Sequence, residues 1–157
     1  MRSAVVVMIV GAAFLGACHA PSSFDPEDPA IVAAIESRLQ SAMAGAAAVD
    51  ADGVLGFAEG EGELTFVTGD VMLSGLDTIR ARFEETYAGL AKQDQTVFEK
   101  RVRILSPDVA LVMVAGEGTY TDKAGWTSEP VGIGLTIVFV RENGVWWARH
   151  AHQSIAH

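Results

Sequence analysis

The sequence predicts an α+β domain: a cone-like, curved antiparallel sheet with three helices, all from the N-terminal half, packed across it. Three observations lead there. Apolar residues recur at helical spacing only up to Leu90, after which the period changes: Thr96 to Leu105 alternates weakly, and Val109 to Thr121 and Val131 to Arg141 are long apolar runs. Turn signals at Ser106-Pro107-Asp108 and Asn143-Gly144 cut that second half into long, hairpin-connected segments. Helices segregated from an antiparallel sheet define the α+β class.

The elements follow in order. Asp28-Pro29 reads as a helix start, with Asp as N-cap and Pro at the first helical position. Ile31, Ile35, Leu39 and Met43 then share one face with Ala42 and Ala46, and this helix is expected to end near Ala48. Asp50 to Ala58 reads as a second, short helix stopped by Gly60 and Gly62. Glu63 to Thr68 and Val71 to Leu73 form a strand pair about the Gly69-Asp70 turn. Ser74-Gly75 precedes a third helix, Leu76 to Leu90, with the stripe Leu76, Ile79, Phe83, Tyr87 and Leu90. Four strands complete the chain: Thr96 to Leu105, Val109 to Thr121, Val131 to Arg141 and Val145 to Ile155.

Ahead of this domain, residues 1–17 read as a signal peptide. Arg2 precedes an apolar run from Ala4 to Leu15, too short for the roughly 20 residues that cross a bilayer. The run ends in Leu15-Gly16-Ala17-Cys18, which resembles the bacterial lipobox. Cys18 is the only cysteine, so it has no partner for an internal disulfide, and lipidation accounts for it. Residues 18–28 then form a lipidated Cys and a polar, proline-containing tether, and residues 29–157 the domain. By resemblance to the lipoprotein sorting rule, His19 after Cys18 directs the protein to the outer membrane, facing the periplasm. Plain secretion with cleavage after Ala20 is the alternative.

The 157-residue chain carries a net charge of −9. An acidic body without a basic footprint argues against nucleic acid as a partner. It also leaves membrane contact to the lipid alone. No Gly-x-Ser-x-Gly, phosphate loop or dinucleotide fingerprint is present, and Gly116-x-Gly118 lies inside a strand. No cofactor is assigned.

The last strand carries Gly144, Trp146, Ala148, His150, His152 and Ser154. This spacing resembles the Gly-x-Trp-x-Ile-x-His-x-His-x-Ser strand of the SnoaL-like, nuclear transport factor 2-like superfamily. Ser74-Gly75 followed by Ile79-Arg80, and the short helix after Asp50, resemble two further features of that family. The resemblance spans roughly Pro29 to Ser154. It implies a cone-shaped pocket, a small apolar or mixed ligand, and a dimer formed through the convex face of the sheet.

On a strand, residues two apart share a face. Trp146, Ala148, His150, His152 and Ser154 therefore project together, and the resemblance puts them on the concave side. The expected ligand pocket comprises Trp146, His150, His152, Tyr120, Tyr87 and Trp126. Trp147 and Arg149 would face the convex, dimerising side. Histidine can exchange a proton near neutrality, so His150 and His152 are the weak catalytic candidates, with Glu117 as a carboxylate that either enters the pocket or points outward. Two histidines on one strand fall short of the three protein ligands a catalytic zinc usually takes, and no metal is assigned. The steroid isomerases of this superfamily use a general-base Asp, whose position here is Phe66, and a Tyr on the first helix, which has none. An arginine often seen two residues before a Thr on the penultimate strand is Gly134, before Thr136. The reading is therefore a lipid-anchored, small-molecule-binding domain of the cell envelope, more a binder than an enzyme. The alternatives are an isomerase, dehydratase or hydrolase using the pocket histidines, or a dimeric interaction module.

Overall fold

A computed structural model describes residues 25–156. The expected signal peptide, Cys18, most of the tether and His157 lie outside these residues. Helix α1 spans Pro29–Ala47, α2 Ala51–Leu55 and α3 Leu76–Tyr87. The strands are β1 Thr65–Thr68, β2 Val71–Ser74, β3 Leu90–Ser106, β4 Val109–Asp122, β5 Val131–Glu142 and β6 Val145–Ile155. One six-stranded sheet runs in the order β2-β1-β6-β5-β4-β3. All neighbours are antiparallel except β1 and β6, which pair in parallel through Thr65–His150 to Thr68–Gln153. This parallel pair departs from the purely antiparallel expectation.

Asp28 caps α1 as expected, its carboxylate accepting from the Ala30 amide at 2.8 Å. The buried face of α1 carries Ile35, Leu39, Ala42, Gly45 and Ala46. Gly45 lets α2 cross in backbone contact: a Cβ there would lie 2.3 Å from the Gly53 carbonyl carbon. Gly75, at φ +85°, turns the chain into α3 while its amide donates to the Leu64 carbonyl at 2.9 Å. The β5–β6 hairpin turns on Asn143 (φ +51°) and Gly144 (φ +81°), as their residue types require.

Strand β3 begins at Leu90, where the sequence reading still had helix. It breaks register with β4 between Leu90 and Lys92, Val97 and Glu99, and Ile104 and Ser106. Each break is a bulge, and bulges bend a strand and increase its twist. They curve the sheet, and they disrupt the period-2 pattern that would have located the strand. Phe98 and Leu105, the residues skipped by two of these breaks, are both exposed. All three helices line the concave side. Lys100 of β3 reaches Glu36 of α1 at 2.6 Å across that side. Arg101, next in sequence, pairs with Glu99.

A further break, in β6, decides which residues face the helices. Val138 pairs with His150, but Phe139 pairs with Ala148, leaving Arg149 as an extra residue. Before the bulge, Trp146 and Ala148 face the core. Beyond it, Ala151, Gln153 and Ile155 take the concave side, and His150, His152 and Ser154 pass to the convex side. One inserted residue flips every side chain after it.

Arg149 explains the bulge. Its Nε donates to Glu142 Oε1 at 2.8 Å and its Nη1 to the Ala58 carbonyl at 3.3 Å, tying β6 to the loop after α2. That loop also pairs along the β6 edge, where the Ala148 amide donates to the Phe57 carbonyl at 2.8 Å. Gly60 and Gly62 press directly on Arg149 and leave no room for a Cβ. These glycines were expected only to stop a helix; they are also packing surfaces.

Candidate functional site

A cavity of about 350 Å³ lies between the helices and the concave face of the sheet. Its walls are apolar: Leu55 from α2, Phe57 and Leu64 from the segment after it, Ile79 and Phe83 from α3, Phe66 from β1, and Leu135 and Ile137 from β5. Phe66, Phe83 and Tyr87 form an aromatic wall, with successive ring centroids 5.5 Å and 5.6 Å apart. An apolar concavity with a few polar groups is the usual form of a small-molecule site.

The polar lining is Thr68, Arg82, Thr86, Tyr87, Gln93, Gln95 and Gln153. Arg82 is half exposed and paired with Glu85 at 2.7 Å. The Thr86 hydroxyl donates to the Arg82 carbonyl at 2.8 Å. Gln93 and Gln95 share one face of β3, and Gln153 stands on β6 beside Thr68 of β1. Tyr87 is only 7 % exposed, and its hydroxyl makes no hydrogen bond to the described residues but is not sealed from solvent. Burial, and then the charge of Asp50, push its phenol up to about 12. It stands at the cavity as a protonated donor.

Of the residues expected to form the pocket, Tyr87 lines this cavity and the others do not. Trp146 is packed in the core at 4 % exposure, in one cluster with Phe139 and Ala148. His150 and His152 sit on the convex face because the Arg149 bulge reverses the alternation. There His150 Nδ1 and Thr65 Oγ1 lie 2.7 Å apart, and His152 is exposed. Neither imidazole reaches the cavity, so a reaction there cannot use them. Tyr120 and Trp126 pack edge to face on each other at 5.8 Å, both exposed. Asp122 Oδ1 fixes that turn by accepting from the Trp126 amide at 2.9 Å. Glu117 borders a second hollow of about 70 Å³ beside β3 and β4, not the main cavity.

Trp147 and Arg149, expected on a free convex face, are engaged within the chain. Trp147 lies under the Arg38 guanidinium, 4.2 Å from its ring centroid, and Arg149 is held by Glu142 and Ala58. The convex face is built from Val67, His150, His152, Thr136, Val138, Leu111 and Met113, which the strand registers bring side by side. Phe66 lines the cavity at the position where the steroid isomerases have their base. Sequence reasoning missed Gln93, Gln95 and Gln153. The signal for the first two is their two-residue spacing, which lies ahead of the Thr96 start expected for β3, a strand that begins at Leu90.

The family model described as the calcium/calmodulin dependent protein kinase II association domain matches residues 39–157. Among solved structures, a nuclear transport factor 2-like superfamily protein from Salmonella enterica superposes with a TM-score of 0.72 at 13% identity, covering 82% of this chain and 93% of that one. A hexachlorocyclohexane dehydrochlorinase from Novosphingobium barchaimii gives 0.70 at 11%, covering 82% and 88%. A ketosteroid isomerase-like protein from Erwinia carotovora gives 0.65 at 20%, covering 80% and 95%. At these identities the likeness is one of fold. No curated protein matches the chain.

Proposed function

The chain belongs to the calcium/calmodulin dependent protein kinase II association domain family and has the nuclear transport factor 2-like fold, and from that premise we propose that it binds a small apolar or mixed molecule in its concave cavity. The observation that carries this reading is the cavity itself: about 350 Å³, walled by apolar side chains and edged by a few polar ones. We further infer that a second copy docks on the convex sheet face. The association domain to which the chain is matched supports this, as does the run of Leu111, Met113, Val138 and Val67 across that face. The N-terminal pattern around Cys18 supports a lipid anchor that holds the domain at the cell envelope, in the outer membrane, facing the periplasm.

Turnover in the same cavity is the second reading, favoured by the dehydrochlorinase and isomerase-like names of two fold neighbours. Against it, no carboxylate, imidazole or thiol stands among the described lining residues, and proton abstraction needs a base within reach of the substrate.

Native mass spectrometry of the detergent-extracted protein tests the assembly and the ligand together. The expected spectrum shows a dimer or higher even-numbered assembly that carries one small molecule per chain or takes one up on titration. A monomer that takes up no apolar molecule would overturn both parts. Met113→Asp is expected to shift the assembly to monomer while leaving ligand uptake in place.

A further inference from the structure

We propose that the cavity selects an uncharged apolar molecule bearing a hydrogen-bond acceptor, a carbonyl above all, which the Tyr87 hydroxyl binds. This rests on the binding reading above and adds the chemical class of the ligand.

Two observations carry it. The first is the charge inventory. Among the described lining residues the only charged side chain is Arg82, and Glu85 neutralises it at 2.7 Å where it is half exposed. Nothing further inside would pair with a carboxylate or an ammonium, and a buried charge without a partner is strongly disfavoured. Asp50, near enough to act on the Tyr87 phenol, adds repulsion against an anionic head. The second observation is the donor. Tyr87 is 7 % exposed, lines the cavity, and has no hydrogen-bond partner among the described residues. That hydroxyl is still reached by solvent, because no fully buried side-chain polar atom among the described residues lacks a partner, so a ligand that displaces its water leaves the donor unpaired unless it brings an acceptor. An acceptor on the ligand would satisfy this one at the aromatic wall formed with Phe83 and Phe66. A flat, conjugated ligand suits that wall, because aromatic rings prefer offset or edge contacts with one another. The carboxamides of Gln95 and Gln153 both donate and accept. They would receive a hydroxyl or a second carbonyl without demanding a charge.

The test uses three probes of nearly equal shape with the purified full-length protein: acetylnaphthalene, ethylnaphthalene and naphthoate, titrated by calorimetry. Acetylnaphthalene is expected to bind about tenfold more tightly than ethylnaphthalene, the worth of one net hydrogen bond, and naphthoate most weakly. Tyr87→Phe removes only the hydroxyl. It should lower acetylnaphthalene to the ethylnaphthalene level and leave ethylnaphthalene unchanged. Naphthoate binding as tightly as acetylnaphthalene would overturn the ligand class while keeping the cavity as a site, and this comparison needs no variant. Acetylnaphthalene affinity that survives Tyr87→Phe would remove the donor role. Binding of none of the three would count against the cavity as a binding site altogether.

Discussion

Gly45→Ala tests the packing that shapes the cavity, because two ordinary effects pull in opposite directions there. On an exposed helix face, replacing Gly by Ala stabilises by roughly 1 kcal/mol. Gly45 is buried in α1, and its added methyl would lie 2.3 Å from the Gly53 carbonyl carbon and 2.4 Å from the Val54 amide nitrogen. Both obstacles are backbone, so no side chain can turn aside. Helix α2 would have to move away by about 1 Å, the shortfall from ordinary van der Waals contact. Overpacking of a tight core costs about 1–3 kcal/mol, and occasionally more. The clash is at its severe end and outweighs the helix propensity, leaving a net loss of about 1–2 kcal/mol. For a domain of this size that lowers Tm by about 3–8 °C. Val54 and Leu55 of α2 line the cavity, so apolar ligand affinity should fall as well. The assay is thermal unfolding followed by circular dichroism. Gly89→Ala is the control, since its Cβ would meet nothing within 4 Å. A Gly45→Ala protein as stable as the parent, or more so, would refute the close crossing of α1 and α2.

Three further outcomes are expected. The hydrogen bond from Arg149, followed by its charge, holds the Glu142 carboxyl below the ordinary carboxylate value, against the opposing effect of burial. The stability this contributes is present above the unfolded-state value and is lost as pH falls through the depressed folded one. Glu142→Gln should therefore lower Tm near neutrality and flatten its acid decline; parallel Tm–pH curves for the two proteins would contradict this. The Tyr87 phenol is raised to about 12, so its contribution is intact below the ordinary value of about 10 and is lost as pH rises toward the folded one. The chain has two tyrosines, so ultraviolet titration of Tyr120→Phe isolates Tyr87, and a midpoint near 10 would show that it is not buried as described. For the lipid anchor, clickable fatty acid should label the wild type and not Cys18→Ala; an unlabelled wild type would point to plain secretion.

Much of the architecture was legible in the sequence because it rests on local signals. Asp28-Pro29 capped α1, the Ile79–Phe83–Tyr87 stripe defined the inner face of α3, and Asn143-Gly144 turned the last hairpin. The site was less legible because facing depends on register, and register depends on bulges that leave little trace in sequence. Extending period 2 from Trp146 through His152 crosses the Arg149 bulge, so the histidines were assigned to the wrong side of the sheet. The cause of that bulge is Glu142 and the Gly60–Gly62 loop, a contact between residues remote in the chain. The same blindness applies at the start of β3, where bulges at Ala91 and Phe98 scrambled the alternation that would have exposed Gln93 and Gln95. Tyr87 escaped the problem because a helix stripe is set by its own turn.

The most direct test of the account is the position of a bound probe. Intermolecular nuclear Overhauser effects from acetylnaphthalene should reach the methyls of Leu55, Ile79 and Ile137, which line the cavity, and no methyl of Leu111 or Val138. Contacts to Leu111 and Val138, beside the two histidines, would place the binding site on the convex face and contradict it.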